Sequence, residues 1–464
     1  MSCLFCFRTT RKQPADDPLL AAATATATTP AQTSAQTPGH TQPYTASKMT
    51  TTPPQIPEFQ RVLLLHAPKQ PYHVTHDYAV PTFIHDRELL VQTRAISLNP
   101  IDWKSPDFNF AIPELPYISG RELAGDVVRL NTGASRLQAG DRVLAISTDY
   151  RDLRKGAYQE YVVAWDFNTV RLPPHISYEA GATIGVAFVA AILALGVNLG
   201  VDFTDVENGP DLLHLVRKLP NPETVLPDDI RDECLSGISE TERAQPGDWI
   251  AIWGASSTSA HLAIQLARIA GLKVAAIVDK AKHGLRLVGH DAEVCRPDLV
   301  IDSHDPERAV SILRANLGSK LRFGFDTRGR ETSTWLLKAL ACSSDTESSK
   351  ATATRPPSPP NTPRSEPEKT QFQSHLVGLT GLPKGSPPEG GVYHNVPIKL
   401  FHEIPDIGEA LCSWLERLLV AGRIVPPEIA GVDEGLGSVN ASLDRMRAGE
   451  ISGGRLVIRL GDEA

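Results

Sequence analysis

The 464-residue chain lacks three things: clustered cysteine, a dense run of basic residues and a complete glycine fingerprint. Its six cysteines, Cys3, Cys6, Cys234, Cys295, Cys342 and Cys412, are spread along the chain without the clustering of a metal site or the density of a disulfide scaffold. That usage suits a reducing compartment, and the cytoplasm is expected. Arg8, Arg11 and Lys12 beside Ser/Thr-rich sequence keep a mitochondrial leader open, although no basic amphipathic helix accompanies them. Cys3 and Cys6, beside Leu4, Phe5 and Phe7, offer acylation sites, with an idle tail the plainer reading. A formal net charge of −8 and the absence of a Lys/Arg stripe exclude a nucleic-acid binder, which needs a basic face.

What is present is a strand–turn–helix–strand unit from Trp249 to Asp279. Trp249-Ile-Ala-Ile-Trp253 is a buried-strand run, and Gly254-Ala-Ser-Ser-Thr-Ser259 is a turn of small residues. The helical pattern of Leu262, Ile264, Leu266 and Ile269 ends at Gly271, and Lys273–Val278 reads as a second strand. Such a turn lets a pyrophosphate approach backbone N–H groups at the positive end of a helix. Only Gly254 fits the glycine pattern, because Ser256 and Ser259 stand at the two later positions. Asp279 ends the second strand where a ribose-binding acid is expected. By itself the unit leaves nucleotide binding and plain βαβ packing equally open.

Around this unit the chain divides by composition. Residues 1–57 read as a disordered leader of Ala, Thr, Gln and Pro whose only acids are Asp16 and Asp17, and Met49 is an alternative start. From Glu58 short strands with Gly and Pro turns follow, including Arg61–Leu65, Glu88–Ser97, Ala124–Val128, Asp141–Ile146 and Gly156–Val163, with almost no helix. They imply a small β-barrel domain over 58–172. Ala180–Leu199 is apolar apart from Thr183 and Asn198 and is long enough to span a bilayer, but it holds three glycines and lacks basic anchors at its ends. No membrane span is expected. Residues 201–245 and 343–371 read as insertions: the first is rich in Asp, Glu and Pro with one helix around Leu212–Val216, and the second is a Pro-rich solvated loop. Ser358 and Thr362, each beside proline, are candidate phosphorylation sites.

Leu98-Asn-Pro-Ile-Asp-Trp-Lys104, Gly120-Arg-Glu-Leu-Ala-Gly125, Gly140-Asp-Arg-Val143 and Gly156-Ala-Tyr-Gln-Glu-Tyr161, in that order, resemble the landmarks of the medium-chain dehydrogenase/reductase superfamily. Asn395–Glu403 and Gly449–Val457 are similar to its zinc-free fungal members, which include trans-acting enoyl reductases that serve polyketide synthases. The resemblance implies an α/β chain. A GroES-like β-barrel over 58–172, completed by 403–464, joins a Rossmann doubly wound parallel sheet over 173–402. It also implies a buried helix at 180–199. Zinc-dependent members carry Cys and Gly-His-Glu where this chain has Asn99 and Gly120-Arg121-Glu122, so no metal is expected.

By the same resemblance Ile101, Asp102, Trp103, Lys104, Gly254, Ser256, Ser257, Thr258, Ser259, Val377, Gly378, Arg455 and Leu456 line the cofactor. The hydroxyls at 256–259 could instead cap the helix. Asp279 suits the 2′-hydroxyl of NADH, whereas Lys280 and Lys282 suit the 2′-phosphate of NADPH, the cofactor expected here. Lys104 and Tyr158 are the polar candidates for assisting charge on a substrate oxygen. The implied activity is metal-free, NADPH-dependent reduction of an activated carbon–carbon double bond in a small molecule, free or carried as a thioester. Alternatives are a quinone oxidoreductase and a non-catalytic nucleotide-binding adaptor. The residues leave the oligomeric state open.

Overall fold

Six short apolar runs rich in Val, Ile, Leu, Phe and Ala form one parallel sheet in the computed structural model, which describes residues 55–131, 135–146, 149–340 and 372–461. Across the sheet lie Leu299–Asp302, Lys273–Val278, Trp249–Trp253, Leu321–Asp326, Ser374–Gly378 and Gly391–Asn395. Numbered along the chain, that order is 3-2-1-4-5-6, the doubly wound Rossmann arrangement, which reverses beside Trp249–Trp253. Strands buried on both faces need continuous apolar sequence, and Ile250, Ala251, Ile252, Val274, Ala275, Ala276 and Ile277 are all at zero exposure.

The second body is antiparallel. Glu88–Ser97 is its hub, pairing with Glu122–Leu130, Tyr161–Trp165 and Arg455–Arg459. The last strand of the chain thus returns to the barrel, carrying Ile429–Glu434 in parallel beside it. Two stretches depart from the sequence reading. The motif Asn99–Lys104 begins a helix, Pro100–Phe108, because proline stands at its first position and Asp102 accepts the Asn99 N–H at 2.8 Å. The strand placed at Gly156–Val163 begins only at Tyr161. The residues before it form a buried crossing whose N–H groups at Ala157 and Tyr158 donate to Gly120 and Ser119.

The apolar run after Ser177 is a core helix: Tyr178–Asn198 is long and apolar enough to cross a membrane, yet 89% of its most apolar window is buried. Insertion 201–245 is more than a surface loop. It contributes three short helices, Leu212–Arg217, Pro222–Val225 and Asp228–Ser236, and its Phe203, Leu212, Leu213 and Val216 share the core of that long helix. Trp414, fully buried, donates its indole N–H to the Val206 carbonyl at 3.0 Å. A buried polar chain ties the insertion to the sheet edge, with Glu233 2.6 Å from the His394 ring and His394 2.9 Å from His375. Burial, His394 and Arg322 pull the His375 pKa down to about 3, so the ring stays neutral. Cys234, Cys295 and Cys412 are free, buried thiols. The leader up to Pro54, with Met49, Cys3 and Cys6, lies outside the described residues. So does loop 343–371 with Ser358 and Thr362.

Candidate functional site

At the point where the strand order reverses, ligands of open α/β sheets bind beyond the carboxyl ends of the strands. Here the chain leaves Trp253 through Gly254, whose φ of +79° favours glycine. A Cβ on Gly254 would stand 2.5 Å from Thr327 Oγ1 and 2.6 Å from Arg328 Cγ, so only a hydrogen fits between the turn and the next strand end. Thr327 staples the turn: its hydroxyl contacts the carbonyls of Trp253 and Gly254, both at 3.1 Å, and receives a hydrogen bond from Ser257 Oγ at 2.9 Å.

Ser257 has a second task. It is the N-cap of Thr258–Ile269, accepting from the Ala260 N–H at 3.1 Å. Of the four hydroxyls at 256–259, this one is therefore committed to the helix. Ser257→Ala is expected to lower stability by about 1 kcal/mol, the ordinary value of such a cap. Chemical denaturation with an unchanged midpoint would show that the cap contributes nothing.

Two cavities meet at Ser256. One, of about 330 Å³, is lined by residues that include Gly254, Ser256, Asp279, Lys282, His304 and Arg328. The other, of about 230 Å³, runs behind the turn past Thr258, His261, Arg286, His290 and Glu428. His261 is neutral there, since burial holds its pKa near 4 despite the Val425 carbonyl 3.0 Å from its ring nitrogen. Ser259, also partly buried, lies in the first helical turn beyond both linings.

The residues expected at the site divide between cleft and interior. Lys104 is half-buried and its pKa is lowered, by burial first and then by the positive charge of Arg328. Arg328, in the loop after Leu321–Asp326, stands at the wall of the larger cavity, whereas Lys104 lines neither cavity. Ile101 and Trp103 are partly exposed beside Lys104. Asp102 turns inward with no exposure, its carboxylate committed to the Asn99 N–H, and burial raises its pKa to about 6. Tyr158 is also at zero exposure, edge-on to Tyr72 at 5.5 Å within the barrel core, and burial drives its pKa well above the usual tyrosine value. It has no path to a substrate in this conformation.

Arg455 and Leu456 are buried as well. Arg455 reaches Asn99 Oδ1 at 2.6 Å, the Leu98 carbonyl at 3.0 Å and Glu122 at 3.5 Å. Asn99, Glu122 and Arg455 thus form a buried polar cluster, while the Arg121 guanidinium lies 5.3 Å over the Tyr150 ring. Among the described residues no group of three or more His, Cys, Asp or Glu side chains could hold a metal ion. Val377 and Gly378 end their strand beside Phe325 and Asp326, with Val377 in the core.

On the ribose side, Asp279 is the N-cap of Lys280–Val288, accepting from the Lys282 N–H at 3.1 Å. Lys282 Nζ lies 3.6 Å from its carboxylate, and the lysine side chain is mostly exposed at the cavity wall. Lys280 instead runs along its own helix, where its Cγ would stand 2.7 Å from a Cβ on Gly284, and it does not line this cavity. Arg328 and His304 are the site residues that sequence reading missed. Each is the second residue beyond the carboxyl end of a strand of the parallel sheet, a set that the strand order picks out.

Comparison with known proteins agrees with this fold. Residues 85–174 match the alcohol dehydrogenase GroES-like domain family. The chain is 28% identical to the trans-enoyl reductase resD of Aspergillus sclerotiorum, over 83% of this chain and 96% of that protein. It is 27% identical to the dehydrogenase orsE of Emericella nidulans, over 83% of this chain and 94% of that protein. An alcohol dehydrogenase superfamily protein from Novosphingobium aromaticivorans has the same fold, with a TM-score of 0.61 at 16% identity, covering 87% of this chain and 100% of that one.

Proposed function

We propose, from its likeness to the trans-enoyl reductase resD and the dehydrogenase orsE, that this chain is an oxidoreductase using a nicotinamide nucleotide, and that it reduces an activated carbon–carbon double bond with NADPH. The observation that carries the finer reading is the 330 Å³ cavity beyond the sheet's carboxyl end, lined by Gly254, Ser256, Lys282 and Arg328.

The protein's part is to bind, orient and exclude water. Gly254 admits a backbone-close phosphate at the start of Thr258–Ile269, where N–H groups lack helical partners. Arg328 at the cavity wall supplies positive charge to that phosphate, and Lys282 extends it to the ribose side. NADPH is favoured over NADH because Lys282 stands beside Asp279, whose carboxylate is already engaged by a helix N–H. When bound there, a reduced nicotinamide would supply the hydride that adds to the β-carbon, with a solvent proton completing the α-carbon. Tyr158 is withdrawn from the catalytic role by its burial, which leaves half-buried Lys104 as the polar candidate. The substrate is a small conjugated carbonyl compound, free or held as a carrier thioester, and the cytoplasm is the compartment in which we place it.

NADPH labelled with deuterium at its transferable position should deposit the label on the β-carbon of an enone or enoyl thioester. Preferential oxidation of simple alcohols would overturn the proposal. Turnover confined to quinones would move it to the neighbouring branch of the family.

A further inference from the structure

His304 follows the third strand of the parallel sheet and lies between two carboxylates at the wall of the 330 Å³ cavity. Its Nδ1 is 2.9 Å from Asp302 Oδ1 and its Nε2 is 3.5 Å from Asp279 Oδ2. Lys282 Nζ lies 3.6 Å from the same Asp279 oxygen. Asp279 therefore pairs with both a lysine and a titratable histidine. We propose that His304 is a specificity-determining residue: its protonated form neutralises Asp279 and lets this cavity accept a 2′-phosphate, while its neutral form leaves Asp279 free to repel that phosphate and receive a 2′-hydroxyl. The inference rests on the nucleotide-binding reading above and adds to it a pH-dependent choice of cofactor.

The groups around His304 give that choice its sign. Asp302, hydrogen-bonded to the ring, and then Asp279 raise the His304 pKa above the usual histidine value. The ring is charged below that point and loses its proton as pH rises through it. Lys282 and Arg328 are the remaining cations at the cavity. His283 also lines the cavity, but burial, with Arg286 nearby, lowers its pKa, and its ring is held by Ser452 Oγ at 2.9 Å. It therefore takes up a proton at lower pH than His304 does. The 2′-phosphate itself gains negative charge near pH 6, which acts in the opposite direction and does not depend on His304.

The test is direct titration of full-length protein with NADPH and with NADH, by calorimetry or nucleotide fluorescence, between pH 6 and 9. The ratio of NADH to NADPH dissociation constants should fall roughly five-fold across that range, an effect scaled to an exposed ion pair. His304→Gln should abolish the fall, leaving only the phosphate's own rise near pH 6, and His304→Arg should abolish it at a higher ratio. A ratio that does not fall in the unmodified protein, or a fall that survives in His304→Gln, overturns the proposal. Failure of both nucleotides to bind at any pH overturns the cofactor reading beneath it as well, so the two failures are distinguishable.

Discussion

Replacing Glu122 with alanine is expected to destabilise the protein by about 3–5 kcal/mol, the ordinary consequence of removing one partner from a buried ion pair. Glu122 has no exposure, and each of its oxygens is engaged. Oε1 accepts from Asn99 Nδ2 at 3.0 Å and lies 3.5 Å from Arg455 Nη2. Oε2 accepts from the Val186 N–H at 2.7 Å, in the first turn of the buried helix Gly185–Leu193. Burial raises the Glu122 pKa, and Arg455 with the hydrogen bonds counters this only in part. One carboxylate thus joins three elements: a barrel strand, the closing strand at Arg455 and the start of the core helix. Alanine would leave the Arg455 guanidinium, 4% exposed, without its counter-charge and the helix N–H without an acceptor. For a chain of this size the loss should appear as a melting temperature lower by about 5 °C. Glu122→Gln should be milder, because it can keep hydrogen bonds. The double change Glu122→Met with Arg455→Leu should recover most of the loss, since an apolar pair of similar volume leaves no charge stranded. An alanine variant within about 1 kcal/mol of the parent would show that the pair is not the clamp described here.

That cluster also shows what the sequence could and could not say. The Rossmann unit was readable because a parallel strand is buried on both faces and must be a continuous apolar run, as Trp249–Trp253 and Lys273–Val278 are. The core helix at 178–198 was readable for the same reason: it is apolar all round and buried all round. The helix at Pro100 carried its own signature, a cap, a proline and an acid in the first turn, which reads as a helix start once local chemistry is weighed. Insertion 201–245 misled because its charged surface is what composition records, whereas Phe203 and Leu212 pack against the Trp414 side of the core.

The inward turn of Asp102, Tyr158 and Arg455 was not legible. A residue's place in a motif does not reveal which face of its element meets the cleft, and in this barrel those three meet each other's neighbourhood instead. Arg328 and His304 were hidden for a different reason. They are distant in sequence from the Gly254 turn and become its neighbours only through the strand order 3-2-1-4-5-6. With that order in hand, the residues just beyond each strand's carboxyl end form a short set to inspect.

The Gly254 turn gives the largest expected functional effect. Ser256→Leu should weaken NADPH and NADH binding by about 10²–10⁴-fold while leaving the fold in place. Ser256 is the residue shared by the two cavities, so a leucine side chain there fills the neck between them. Lost access to the helix start and to Arg328 removes about two charged contacts of ~1.5–3 kcal/mol each, which gives that range. The neighbouring serine would be a poorer test. Ser257 caps the helix and bonds Thr327, so its replacement by leucine would confound lost binding with lost stability. Ser256 carries no capping duty, and Ser256→Ala should bind nucleotide nearly as the parent does. Calorimetric titration alongside thermal melting separates the two effects. A Ser256→Leu protein that melts normally and still binds NADPH within about three-fold, under 1 kcal/mol, would place the cofactor elsewhere. That result would remove the basis for assigning phosphate contacts to Arg328.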